Sequence, residues 1–486
     1  MKRFIRILLL TVFVAVFILG NFACSIDDSW DSSYPPWGWD NVDEFDEIDE
    51  RDFVSAAENP ESYFSLNINT ASYAIIRRSI NSGAKIYKDQ VLIEEMLNYF
   101  QFDYPVPESG EILSLSGSVT PCPWNENSHL LSIGIKTEKV EMSDIDNNLV
   151  FLIDVSGSMA PHDRLPLVQE AFIMLADNLN PNDRVSIVTY ASGVDVRLDG
   201  AMGYEKAVIR GVIEDLFAGG STAGAGGIQR AYELAAKYFK EGGNNRVILA
   251  TDGDFNVGIS SQKDLENFIS EKRETGVYLS ILGVGMGNHK NNRMETLANH
   301  GNGNFAYLDT ITEARKVLIE EAGGTLKTVA NDAKAMVKFN PNYVDKYRQI
   351  GYENRQLTSS DWDDDNKDAG ELGAGRCITA VYEVILKDSA LEASESFVTA
   401  AVRFKVPETG ESREISLEIS AVTDLIFNED IMFISAVVES ALIMRDSKYK
   451  GSANIDSVIA RLESIILEDE YKAEFLELMK KYKTQI

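Results

Sequence analysis

The sequence predicts an α/β fold: a doubly wound, mostly parallel sheet inserted between two parts of a β-rich, sandwich-like unit, with a small helical region before it and helices at the carboxyl end. Three observations predict it. Between residues 146 and 324 apolar strand-type runs alternate with amphipathic helical stretches, the pattern of a parallel sheet covered by helices on both faces. On either side, in EILSLSGSVTPCPW and HLLSIGIKTEKV before it and RCITAVYEVIL, SFVTAAVRFKVP and SREISLEIS after it, apolar and polar positions alternate as in antiparallel sheets. The two early runs have no sheet of their own, and a lone hairpin is barely stable. They are therefore expected to join the later sheet, which makes the central region an insertion.

Taken in order, residues 1–23 begin with Lys2, Arg3 and Arg6, continue with the apolar run Ile7–Leu19 and reach Ala23 before Cys24. This reads as a secretory signal. It is similar to a bacterial lipoprotein signal, which implies that Cys24 carries the lipid and becomes the amino terminus, although Asn21 stands where that signal usually has an apolar residue. The alternative is an uncleaved anchor, for which the run is short. Both readings place the remainder outside the cytoplasm, at a membrane or cell envelope. Residues 24–55, with WDSSYPPWGWDNVDEFDEIDERD, are expected to form an acidic flexible tether held open by like charge. The whole chain of 486 residues carries a formal charge of −30, which excludes nucleic acid as a partner, and its 44% hydrophobic content allows two or three folded units.

Residues 56–145 start with two helices, one through INTASYAIIRRSINS stopped at Gly83 and one through DQVLIEEMLNYF stopped before Pro105, and end with the two early strands. Residues 325–486 hold the later strands, an aspartate-rich run DWDDDNKDAGELG read as a solvated loop, and terminal helices. Cys122 and Cys377 fall in the same unit, where they can bridge or remain two buried thiols.

The chemistry is concentrated in LVFLIDVSGSM, residues 149–159, where a bulky apolar strand stops at Asp154 and delivers Asp154, Ser156 and Ser158 onto one turn at Gly157. Oxygen donors without Cys or His select a hard cation, and Mg²⁺ takes few protein oxygens. The stretch resembles the metal-ion-dependent adhesion site of von Willebrand factor type A domains, which have a Rossmann-like fold. The resemblance extends to Thr222 in AGGSTAGAGGIQRA, with Ser221 as the alternative register, and to Asp252 at the end of the strand in RVILATDGD. It implies that the hydroxyls of Ser156, Ser158 and Thr222 touch Mg²⁺ (or Mn²⁺ or Ca²⁺) directly, that Asp154 and Asp252 act wholly or partly through water, and that a partner protein's carboxylate completes the shell. Asp154 and Asp252 both fall at the carboxyl ends of strands, where open α/β sheets bind ligands.

Further stretches, among them INTASYAIIRR, IEEMLNYF, PCPWN, NNRVILATDGDFNVG and GMGNHKNNRMETLANHGNGNFAYLDT, are similar to a bacterial subfamily of exported type A domain proteins with their own flanking regions. The expectation is a binding protein and not an enzyme. Two alternatives stand beside it. A metal-dependent hydrolase would use His162 as its base, and an envelope scaffold would use the metal only to close loops. The glycine-rich loops lack the spacing of nucleotide sites, and DGDFNVG lacks the last ligand of a calcium loop. The partner and the oligomeric state are not legible.

Overall fold

Strands and helices form where the sequence has the matching period, and the computed structural model describes them over residues 45, 47–66, 68–140, 145–221, 226–253, 262–285, 291–321, 327–392, 396–407, 409–420 and 428–486. The signal-type segment, Cys24 and Thr222 lie outside these residues. The first part contains β1 (Val54–Ser55), β2 (Glu61–Ser65), α1 (Ala71–Ser82), α2 (Ile93–Asn98), β3 (Leu113–Pro121) and β4 (His129–Thr137). The central part runs β5 (Asn147–Asp154), α3 (Leu165–Asp177), β6 (Arg184–Tyr190), β7 (Val194–Met202), α4 (Lys206–Glu214), α5 (Gly227–Lys237) and β8 (Asn244–Thr251). It continues with α6 (Gln262–Arg273), β9 (Val277–Val284), α7 (Asn291–His300), β10 (Phe305–Leu308) and α8 (Ile311–Arg315). The last part has β11 (Thr328–Phe339), β12 (Val344–Ile350), β13 (Gln356–Leu357), α9 (Ser359–Asp363), β14 (Gly370–Gly373), β15 (Cys377–Leu386), β16 (Val398–Lys405) and β17 (Ser412–Ile419). Helices α10 (Glu429–Met444), α11 (Ile455–Glu463) and α12 (Glu470–Lys483) close it.

The central sheet has the order β10-β9-β8-β5-β6-β7, parallel except for β7, which pairs antiparallel with β6. Every residue of β5 and β8 is buried, which explains their unbroken apolar runs: α3, α4 and α8 cover one face, while α5, α6 and α7 cover the other. Helix α1 adds Ala71, Ala74 and Ile75 to that second face.

The flanking parts build one sandwich. One antiparallel sheet has the order β1-β12-β15-β4-β3, the other β13-β2-β11-β16-β17 with β14 beside β11. Leu131 and Ile133 of β4 and Tyr382 of β15 meet Phe64, Val337, Val402 and Phe404 of the other sheet in a shared core. The early hairpin does join the later strands: β4 pairs with β15 from Lys136 opposite Cys377 to His129 opposite Val384, so the central part is an insertion. Helices α1, α2, α10, α11 and α12 pack over the outer face of this sheet through Tyr73, Phe100, Phe433 and Phe475.

The structure decides one open alternative and corrects two expectations. Cys122 and Cys377 are both free and buried, not bridged. Cys122 follows Pro121, which opposes His129, whereas Cys377 opposes Lys136. That separation along β4 is roughly 23 Å at about 3.3 Å per residue, beyond any disulfide. Lys136 Nζ instead donates to Cys377 Sγ at 3.0 Å, and burial pushes the Cys122 thiol up to about 12. Second, the acidic stretch is docked well before residue 55. Ile48 is buried with its N–H on Asp89 Oδ1 (2.9 Å), and Asp52 accepts from Lys448 Nζ (2.7 Å). Third, the aspartate-rich run is not simply a solvated loop, since it contains α9 with the buried Trp362 and runs into β14.

Candidate metal centre

Strands β5 and β8 lie side by side and parallel, with Ile153 opposite Ala250, so their carboxyl ends bring Asp154 and Asp252 to the same edge of the sheet. Asp154 ends its strand fully buried, and its Oδ1 accepts the Ser156 N–H at 2.8 Å, which folds the chain back into the turn Gly157–Met159. That fold aims two hydroxyls the same way: Ser156 Oγ and Ser158 Oγ are 3.0 Å apart, the first buried and the second exposed at the rim. Gly157 has an ordinary φ. What it supplies is room, because its N–H donates to Gly220 O at 3.0 Å and an added Cβ would lie 3.3 Å from that oxygen.

The same bond, with Gly219 N–H donating to Val155 O (2.8 Å), ties the glycine-rich loop to the first turn. Gly220 takes a left-handed φ of 84°, and exposed Ser221 donates its N–H to Ser192 Oγ (2.9 Å). The structure thus brings together Asp154, Ser156, Ser158 and Asp252, with Ser221 leading away from Gly220. Thr222, which follows it, is outside the described residues. His162 is exposed.

One residue escaped the sequence reading. Arg164, at the start of α3, donates through one guanidinium nitrogen to Ser158 O (2.9 Å) and to Asp252 Oδ2. Its side chain lies over Gly285, which as a glycine has no Cβ in the way; one built there would be 2.3 Å from Arg164 Nε.

Asp252 Oδ1 is buried with no hydrogen-bond partner, and the buried Asp154 carboxyl has the Tyr190 hydroxyl beside it. Burial pushes the Asp154 carboxyl up to about 6, opposed by the Ser156 N–H and hydroxyl and by the Tyr190 hydroxyl, and reinforced by the charge of Asp252. Two buried aspartates, one with an orphaned oxygen, beside two converging hydroxyls and with no histidine or cysteine, form a set that fits a hard divalent cation.

Residues 148–320 match the family model of the von Willebrand factor type A domain, residues 40–132 that described as von Willebrand factor, and residues 324–485 that described as the carboxy-terminal part of uncharacterized protein YfbK. The chain is similar to the uncharacterized protein YfbK of Escherichia coli, at 38% identity over 461 residues, 90% of this chain and 80% of that protein. It is 30% identical over 171 residues to the uncharacterized protein sll0103 of Synechocystis, covering 34% of this chain and 39% of that one. The solved von Willebrand factor type A structure from Catenulispora acidiphila superposes with a TM-score of 0.40 at 16% identity, over 75% of this chain and 87% of its own. Type A domains are known for protein–protein adhesion and often bind a divalent metal. The chain belongs to the YfbK family, with a von Willebrand factor type A domain as its central part.

Proposed function

We propose that this protein, held at the cell envelope by a lipid on Cys24, captures a partner protein by a carboxylate through a divalent cation at Asp154, Ser156, Ser158, Thr222 and Asp252. The observation that carries the reading is the meeting of two buried aspartates, Asp154 and Asp252, the second with Oδ1 unpartnered, with the converged serine hydroxyls. Charge supports the choice of ligand. The two aspartates bring two negative charges and Arg164 returns one positive charge, so a divalent cation leaves the centre with one net positive charge and an attraction for an anion. When bound, Mg²⁺ supplies a hard position that a carboxylate can complete. The protein's own groups do the rest: the Ser156 N–H fixes Asp154, Arg164 fixes Asp252, and the exposed Ser158 marks the open side.

The test is titration of Mg²⁺ into the chelator-treated chain and its Asp154→Ala variant, with and without acetate as the carboxylate probe. The parent should bind an equivalent of Mg²⁺ that the variant loses, and at a hundred times its Kd the ion should stabilise the parent by about 2.7 kcal/mol. Acetate should tighten the binding. Mg²⁺ binding unaffected by Asp154→Ala would remove this centre, and binding indifferent to acetate would leave a structural ion instead of a capture site.

A further inference from the structure

An apolar groove opens beside the candidate metal centre, where the β6–β7 turn meets the segment that follows α4. Val155, Ala191, Val194, Leu216 and Phe217 line it, and it encloses about 330 Å³. It adjoins the centre directly, because Val155 stands between Asp154 and Ser156 in the chain. Hydrogen bonds hold its walls: the Val155 N–H donates to Tyr190 O (3.0 Å), the Gly219 N–H to Val155 O (2.8 Å) and the Ser221 N–H to Ser192 Oγ (2.9 Å). From α3, Gln169 Nε2 donates to Leu216 O at 3.1 Å. The groove is therefore built before anything enters it, as ligand sites generally are.

Two features set it apart from ordinary surface. Phe217 is 77% exposed, the most exposed large apolar side chain among the described residues, and Val194 on the β7 side is 36% exposed. A phenyl ring left in water forgoes its burial, and aromatic rings are enriched at the core of interfaces. The second feature is a pair of glycines in the lining that the fold does not require. Gly193 and Gly219 have no left-handed φ, and a Cβ added to either would meet nothing within 4 Å. Glycine at such a position only loosens the chain. What these two keep is room in the groove.

We propose that the groove seats an aliphatic or aromatic side chain of the same partner segment whose carboxylate completes the metal shell, so that the protein selects an acidic residue flanked by an apolar one. This specificity rests on the metal-capture reading, since the ion is what places the carboxylate. Continuity through Val155 puts both contacts within reach of one short segment. A carboxylate alone identifies no partner, because every protein surface carries them; an adjoining apolar contact separates one acidic segment from the rest. The charged residues in the lining, Asp195, Arg197 and Asp215, are all exposed, and Arg197 lies 3.5 Å from Asp195, so the apolar residues are left to define the seat.

The experiment compares acetate, butanoate and hexanoate by calorimetry on the Mg²⁺-saturated full chain. Affinity should rise with length, by up to about fourfold for each methylene that enters the groove. Phe217→Ser strips the groove and Gly193→Leu fills it; both positions are exposed, so both chains should fold. Each should flatten the series while keeping the parent's affinity for Mg²⁺ and for acetate. A parent that binds the three acids equally overturns the groove and leaves the metal centre standing, and a gain with length that survives both substitutions does the same. A parent that binds neither Mg²⁺ nor acetate removes the capture reading, and this specificity with it.

Discussion

Glu94 on α2 is buried, its carboxyl beside Gly351 and the Tyr352 N–H. Burial, and then the charge of Glu353, push its carboxyl from 4.5 up to about 7, against the pull of the Tyr352 N–H and Arg445. Between those values the folded chain holds a proton that the unfolded chain has released, so stability falls as pH rises through the window and levels above it. Glu94→Gln removes that dependence. Urea unfolding from pH 4 to 8 should show the variant gaining on the parent by about 1–3 kcal/mol across the window; profiles that stay parallel would contradict the assignment. At this scale the sequence was uneven. Asp154, Ser156, Ser158 and Asp252 were legible because each follows a strand buried on both faces, a local pattern. Arg164 was not, because its partner Asp252 is 88 residues away. A weak mark was present: a cation at the amino end of a helix opposes the helix dipole, and such local conflicts gather at functional sites.

Among the elements, continuous apolar runs made β5, β8 and β9 plain, and Gly83 ends α1 with the expected left-handed φ, 72°. Strand β12, with VDKYRQI, was hidden by its charges. Arg348 there is paired across the ladder with Glu383 on β15 at 2.8 Å, both side chains buried, and a buried cross-strand ion pair has the composition of a loop. Strand β2 was hidden by shortness: five residues between the acidic stretch and the first helical signal are too few to show a period of two. Two glycines separate conformation from space. At Gly83 nothing lies within 4 Å of an added Cβ, so Gly83→Ala carries only the left-handed strain, about 1 kcal/mol. At Gly303 the added Cβ would lie 1.9 Å from the Leu279 carbonyl oxygen of β9, which the sheet ladder holds in place. Gly303→Ala should cost about 3 kcal/mol by forcing β10 away from β9. Denaturation midpoints of the two variants test this, and equal losses would mean that the β9–β10 edge yields freely.

At the scale of the molecule, the insertion was legible from a hairpin without a sheet, but the joint that seats it was not. Arg77, on α1 and 1% exposed in its side chain, reaches Asp309 (2.9 and 2.5 Å) and Glu313 (2.7 Å) at the end of the type A domain, Tyr99 after α2 (2.8 Å) and Glu474 on α12 (3.1 Å). Its acidic partners are 232, 236 and 397 residues away, so no local pattern announces them. The neighbouring Arg78 donates to Gly285 O (3.0 Å), and Gly285 is the residue over which Arg164 lies, so α1 touches the support of the candidate metal centre. Even with Arg77 present, burial holds the Glu313 carboxyl above its usual range. Arg77→Met fills similar space and leaves Asp309 and Glu313 buried without that guanidinium, which should cost about 3–5 kcal/mol. It should also uncouple the parts. Residues 146–324 contain no tryptophan, whereas Trp124 and Trp362 lie in the sandwich and its helices, so fluorescence follows the flanks while far-ultraviolet circular dichroism follows the whole. In the parent the two unfolding curves should coincide, and in Arg77→Met they should separate. Coincident curves at the parent's midpoint would show that the apolar contacts of α1 seat the insertion alone, with the buried arginine contributing only what it cost to bury.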